Sequence, residues 1–123
     1  MTKKVLSPTQ LSEIAIGALQ ELKGKDIVKL DLREIDTAVT DFFIIATGTS
    51  DRHVQSLSES VLEFMKKEAA EIPISKEGLT NGDWSLVDYG SIVVHVFQQK
   101  QREFFKLESL WGDAPVTEYA DVA

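Results

Sequence analysis

The 123-residue chain has no cysteine, which removes a disulfide framework, a thiolate zinc site and a catalytic thiol together. Its two histidines, His53 and His95, each lack a second histidine or a carboxylate at the i+4 spacing that sets metal ligands on one helix face. Neither a metal nor a cofactor is expected. Long apolar runs are missing too. The longest, Phe42 to Ala46, falls far short of the roughly 18 to 20 residues a membrane span needs, so no membrane partner is expected. Basic residues are outnumbered 13 to 20, for a net charge of −7, and are scattered as Lys3-Lys4, Lys23/Lys25, Lys66-Lys67 and Lys100/Arg102. They make no phosphate-binding stripe, which argues against direct nucleic-acid binding.

What is present suits one hydrophobic core. The length is that of a single domain, and 43% hydrophobic with 27% charged residues separates the chain from disordered and fibrous classes. The start, Met1 to Leu6, has two lysines but no apolar stretch behind them, so no export or organelle signal is read and a cytoplasmic location is expected. An acidic domain is steered toward basic partners, of which ribosomal proteins are one class.

Ser7-Pro8-Thr9-Gln10 opens a helix: Ser7 caps, Pro8 suits the first helical position and Gln10 completes a capping box. Leu11, Ile14, Ala15, Ala18 and Leu22 recur at helical spacing, which predicts a helix over 8–23 closed by Gly24. Residues 26–32 and 42–47 are rich in β-branched and aromatic side chains and predict strands, the second apolar on both faces and therefore central. Val54, Leu57, Val61, Phe64 and Met65 mark a second helix toward Ala70, and residues 75–83 read as a loop.

Trp84 to Tyr89 and Ile92 to Phe97 flank Gly90-Ser91, a two-residue type II′ hairpin turn with glycine first. That pairing sets Trp84 opposite Phe97, Leu86 opposite His95 and Asp88 opposite Val93 on one face, and Ser85, Val87, Tyr89, Ile92, Val94 and Val96 on the other. The second set is the more uniformly apolar and is the expected core side. A third helix is predicted over 101–110, and the tail 114–123 reads as flexible and acidic beyond a single domain of residues 1–113. The order α-β-β-α-β-β-α gives an α/β (α+β) domain, a mixed sheet with helices packed on it.

Three arrangements could carry chemistry. Gly48-Thr49-Ser50 at a strand-to-helix junction could hold an anion, but it lacks a P-loop lysine and is a common helix cap. The same junction occurs in nucleotidyltransferases, which also need two acidic residues two apart on the next strand. That strand offers Asp88 alone, and the pair Glu34 and Asp36 lies in a polar connection before the turn, so phosphoryl transfer has no metal clamp. No Gly-x-Ser-x-Gly elbow is present for a serine nucleophile. The third arrangement is the outer hairpin face of Trp84, Leu86, Asp88, His95 and Phe97. It is either a docking surface that stays soluble when vacant or core covered by the third helix.

Asp41 through Val54, Trp84 through Phe97 and Leu107 through Asp113 resemble the ribosomal silencing factor (RsfS, or Iojap) family, departing at Ser91, where aspartate is expected. The resemblance implies a nucleotidyltransferase-like fold without the catalytic acids, and a function without catalysis. Members of that family are expected to bind the large ribosomal subunit through the protein conventionally numbered fourteen (uL14). They sterically block joining of the small subunit, repressing translation when nutrients are limiting. Carried over, Trp84, Asp88, Tyr89 and His95 form the expected docking surface, with Leu86 and Phe97 added from strand alternation; Arg52 and His53 are assigned to structure. A vacant aromatic face would also favour a homodimer. The alternatives are a metal-dependent nucleotidyltransferase using Asp88 with a distant carboxylate, and an interaction module unrelated to ribosomes.

Overall fold

The structure, a computed structural model, describes residues 5–122. Of the start, Met1 to Leu6, in which no targeting signal is read, only Val5 and Leu6 lie within the described residues.

The first helix, α1 (Pro8–Glu21), opens as the sequence predicts: the Ser7 hydroxyl accepts from the Gln10 amide while the Gln10 side chain accepts from the Ser7 amide. It leads into β1 (Lys25–Asp31), which pairs antiparallel with β2 (Phe42–Gly48). Asp26 takes a left-handed φ of 48°, and the β1–β2 register shifts between Lys25 and Val28. After Gly48 the chain turns into α2 (Asp51–Ala69), capped by Ser50 and closed by Ala70 in the left-handed conformation. A side chain at Gly48 would meet Val54 at 2.7 Å, so glycine is what lets the first turn of α2 sit against the end of β2.

The hairpin forms in the predicted register. β4 (Trp84–Asp88) and β5 (Ile92–Gln98) set Trp84 against Phe97, Leu86 against His95 and Asp88 against Val93. Gly90 has φ 88°, the positive value the first central position of a II′ turn requires. β5 lies parallel to β2, and with β3 (Ser75–Glu77) and β6 (Val116–Tyr119) at its edges the full sheet runs β3-β4-β5-β2-β1-β6. This is a mixed sheet with β2 near its centre, as its two apolar faces predict.

Three expectations are corrected. The loop 75–83 contains a short edge strand, β3 (Ser75–Glu77), paired antiparallel with β4; its side chains are all exposed, so no apolar alternation marks it. The third helix divides at Lys106, whose φ of 47° separates α3 (Gln99–Phe105) from α4 (Leu107–Leu110). The tail expected to be flexible carries β6 (Val116–Tyr119), paired antiparallel with β1 at the sheet edge, with Ala114 buried below it. An exposed edge strand needs only backbone pairing, and pairing leaves no periodicity in the side chains.

Strand alternation divides the core between two faces. α1 and α2 cover one, packing Leu11, Ile16, Leu19, Leu57, Val61 and Met65 against Phe42, Ile44, Val87, Ile92, Val94 and Val96. The opposite face holds a smaller cluster of Val28, Leu30, Leu32, Ile45 and Phe97, with Phe43, Trp84, Leu107 and Trp111 partly buried around it. The candidate site lies on this second, thinner side.

Candidate functional site

On β4 the side chains of Trp84, Leu86 and Asp88 share the second face and are each half-buried, while Ser85 and Val87 turn inward. β5 contributes Val93, His95 and Phe97 to the same face. The result is a layer of rings. Trp84 stacks on Phe97 with centroids 5.1 Å apart and 20° between planes, and His95 lies nearly parallel to Phe97 at 6.0 Å. Phe43, from β2, meets His95 edge-on at 4.8 Å and is met in turn by Trp111 at 5.9 Å.

α3 and α4 lie over part of this layer. Phe105 approaches Trp84 with centroids 4.6 Å apart, yet no residue of either helix is itself buried. The adjacent Phe104 is 79% exposed, since two neighbouring side chains on a helix cannot both face the sheet. Arg102 fastens the cover. Its guanidinium donates to the Asp26 carbonyl and to Thr47 Oγ1, the latter at 2.8 Å, and pairs with Glu108 at 3.0 Å.

The structure divides the six predicted site residues. Trp84, Leu86 and Asp88 keep solvent-accessible surface. His95 and Phe97 share their face but are only 4% and 1% exposed, so these two belong to the core while the three on β4 remain accessible. Tyr89 is brought elsewhere: it lies in the helix-covered core, on the opposite side of the sheet from Trp84. Its place there is set by the same alternation that puts Val87 inside. Sequence reasoning passed over Phe43, Phe105 and Trp111 as parts of the ring layer. The Phe104-Phe105 doublet was the available signal for the second of these.

Electrostatics follow burial. Trp84 Nε1 donates to His95 Nδ1 at 3.2 Å, so in the neutral ring the His95 proton sits on Nε2, which is buried without a partner among the described residues. Burial lowers the His95 pKa from 6.5 to about 4, against a smaller opposing pull from the Asp88 charge. Asp88 itself accepts from the Gly90 amide at 2.7 Å, which braces the hairpin turn. Burial also pushes the Tyr89 hydroxyl up to about 12, with the Glu71 charge adding to the effect.

The Gly48-Thr49-Ser50 junction spends its donors on the fold. The Thr49 amide donates to His53 Nδ1 at 2.9 Å, leaving Nε2 as the donor to the Leu22 carbonyl at 2.8 Å, while Ser50 Oγ accepts from the His53 amide. Ser50 is thus a helix cap, and His53 ties the junction to the end of α1.

Residues 6–123 match the family described as "Ribosomal silencing factor during starvation". The chain is 41% identical over 103 residues to the ribosomal silencing factor RsfS of Chromobacterium violaceum, covering 84% of this chain and 83% of that one. It resembles a crystal structure of a protein from the same organism with a TM-score of 0.82 and 40% identity, over 87% of this chain and 88% of that one. A more distant relative, "Mitochondrial assembly of ribosomal large subunit protein 1" of Mus musculus, is 30% identical over 101 residues, covering 80% of this chain and 44% of that one.

Proposed function

The chain belongs to the ribosomal silencing factor family, and on that premise we propose that it silences by docking on the large ribosomal subunit through uL14, sterically excluding the small subunit when nutrients are limiting. In this reading the protein works in a bacterial cytoplasm and catalyses no reaction. The observation that carries it is the β4 face, where Trp84, Leu86 and Asp88 stand half-buried at the rim of a ring layer that α3 and α4 leave partly open. A half-buried tryptophan beside a carboxylate has the composition of an interface that stays soluble when vacant. His95 and Phe97 act from beneath as its floor, and Tyr89 supports the hairpin from the helix side.

Two further observations favour docking. The net charge of −7 suits a basic ribosomal protein. The name of the mouse relative speaks of the large ribosomal subunit. In the absence of ribosomes the same face is proposed to pair with a second copy, since Phe104 extends the apolar surface next to Trp84.

Co-sedimentation of the full chain with purified large and small subunits tests this reading. It requires binding to large subunits alone and a loss of joined ribosomes as the protein is added. Binding to neither subunit, or magnesium-dependent nucleotide turnover that Asp88→Ala abolishes, would refute it.

A further inference from the structure

An indole nitrogen can only donate, so its contact with His95 Nδ1 defines which atom of the imidazole accepts. The opposite nitrogen is left as a buried donor with no partner among the described residues, a state that burial in apolar surroundings penalises. For packing alone, a phenyl ring of similar volume would serve this position better. Of the rings around His95, Phe43, Trp84 and Phe97, only Trp84 offers a polar atom, its Nε1–H. What the imidazole adds is an acceptor at Nδ1.

That acceptor has a definite use. Stacking on Phe97 at 20° and leaning on Phe105 at 42° fix the plane of the Trp84 ring, but a stacked plane is indifferent to which edge of the indole faces inward. One hydrogen bond decides it. We propose that His95 is a positioning residue of the docking face: its Nδ1 holds the N–H edge of Trp84 inward, so that a partner meets the indole's hydrocarbon edge and is recognised by apolar contact there. The inference rests on the reading that this face docks. It also makes His95 act without touching the partner, in keeping with its burial.

The test compares His95→Phe and His95→Leu, which lack the acceptor, with His95→Asn, whose Oδ1 can stand where Nδ1 stands. Each full-length variant is assayed for melting temperature and for affinity to purified large ribosomal subunits. Trp84 emission is recorded in a Trp111→Phe background. Folded acceptor-free variants are expected to bind roughly five- to tenfold more weakly, the effect of losing one hydrogen bond. His95→Phe should do so while melting at or above the parent's temperature. His95→Asn is expected to restore binding and the parent's Trp84 emission. Parent-like binding by either folded acceptor-free variant would overturn the proposal, as would binding by His95→Asn as weak as that of His95→Phe. Trp84→Ala, measured alongside, separates the two failures: its parent-like binding overturns the docking reading itself, whereas its loss with intact His95→Phe binding overturns the positioning role alone.

Discussion

Phe105 lies against Trp84 with ring centroids 4.6 Å apart, so the one aromatic side chain that α3 turns inward rests on the indole proposed to dock. Its neighbour Phe104 projects into solvent. Phe105→Ala is therefore expected to cost about 1–2 kcal/mol, less than the loss of a fully buried ring, and Phe104→Ala about 0.5 kcal/mol or less. Thermal denaturation of the two variants checks the contrast. Equal losses would mean that α3 does not sit on the ring layer as described.

His95 links stability to pH. Its folded pKa of about 4 lies below the ordinary 6.5, so the unfolded chain takes up the proton first as pH falls. Stability from the neutral ring is complete above pH 6.5 and is lost on acidification toward pH 4. Linkage sets the slope at about 1.4 kcal/mol per pH unit and the total at about 3 kcal/mol. Urea denaturation between pH 7 and 5 should show this slope in the parent and a shallower one in His95→Asn. Identical slopes would contradict the burial of a neutral imidazole.

Truncation after Asp113 removes more than a tail. It strips β6 from β1, takes away buried Ala114 and frees the edge of Ile27 to Leu30. With the Pro115 carbonyl no longer accepting from the Asp31 amide, the loss is expected to be about 2 kcal/mol or more, accompanied by aggregation through the bared edge. Melting temperature and light scattering measure both effects; a truncated chain as stable and monodisperse as the parent would contradict the pairing.

The hairpin was legible because several local signals agree there: glycine first in the turn, alternation on β4, and the β-branched residues of β5. Together they fix the Trp84–Phe97 register without any long-range information. The helices were legible from capping and period, as at Ser7 and Gln10. β3 and β6 were not. The partner of β6 is distant in sequence, and apart from the half-buried Tyr119 the side chains of both strands are exposed, so no apolar alternation in Ser75–Glu77 or Val116–Tyr119 distinguishes pairing from a loop. The site was half legible for a related reason. Alternation places Trp84, Leu86, Asp88, His95 and Phe97 on one face, but how much α3 covers depends on the break at Lys106, where no glycine or proline marks the positive φ. Tyr89 entered the predicted site through family resemblance against its own alternation, and the alternation prevails in the structure.

The docking face is tested most directly by Trp84→Ala, with melting temperature and the fraction bound to purified large subunits measured on the same preparation. An aromatic anchor at an interface carries about 2 kcal/mol or more, so binding should fall roughly thirtyfold. Trp84 is half-buried, and its removal should cost less than the roughly 3–5 kcal/mol of a fully buried ring, leaving the domain folded at the assay temperature. A folded Trp84→Ala protein that binds large subunits as tightly as the parent would contradict the account.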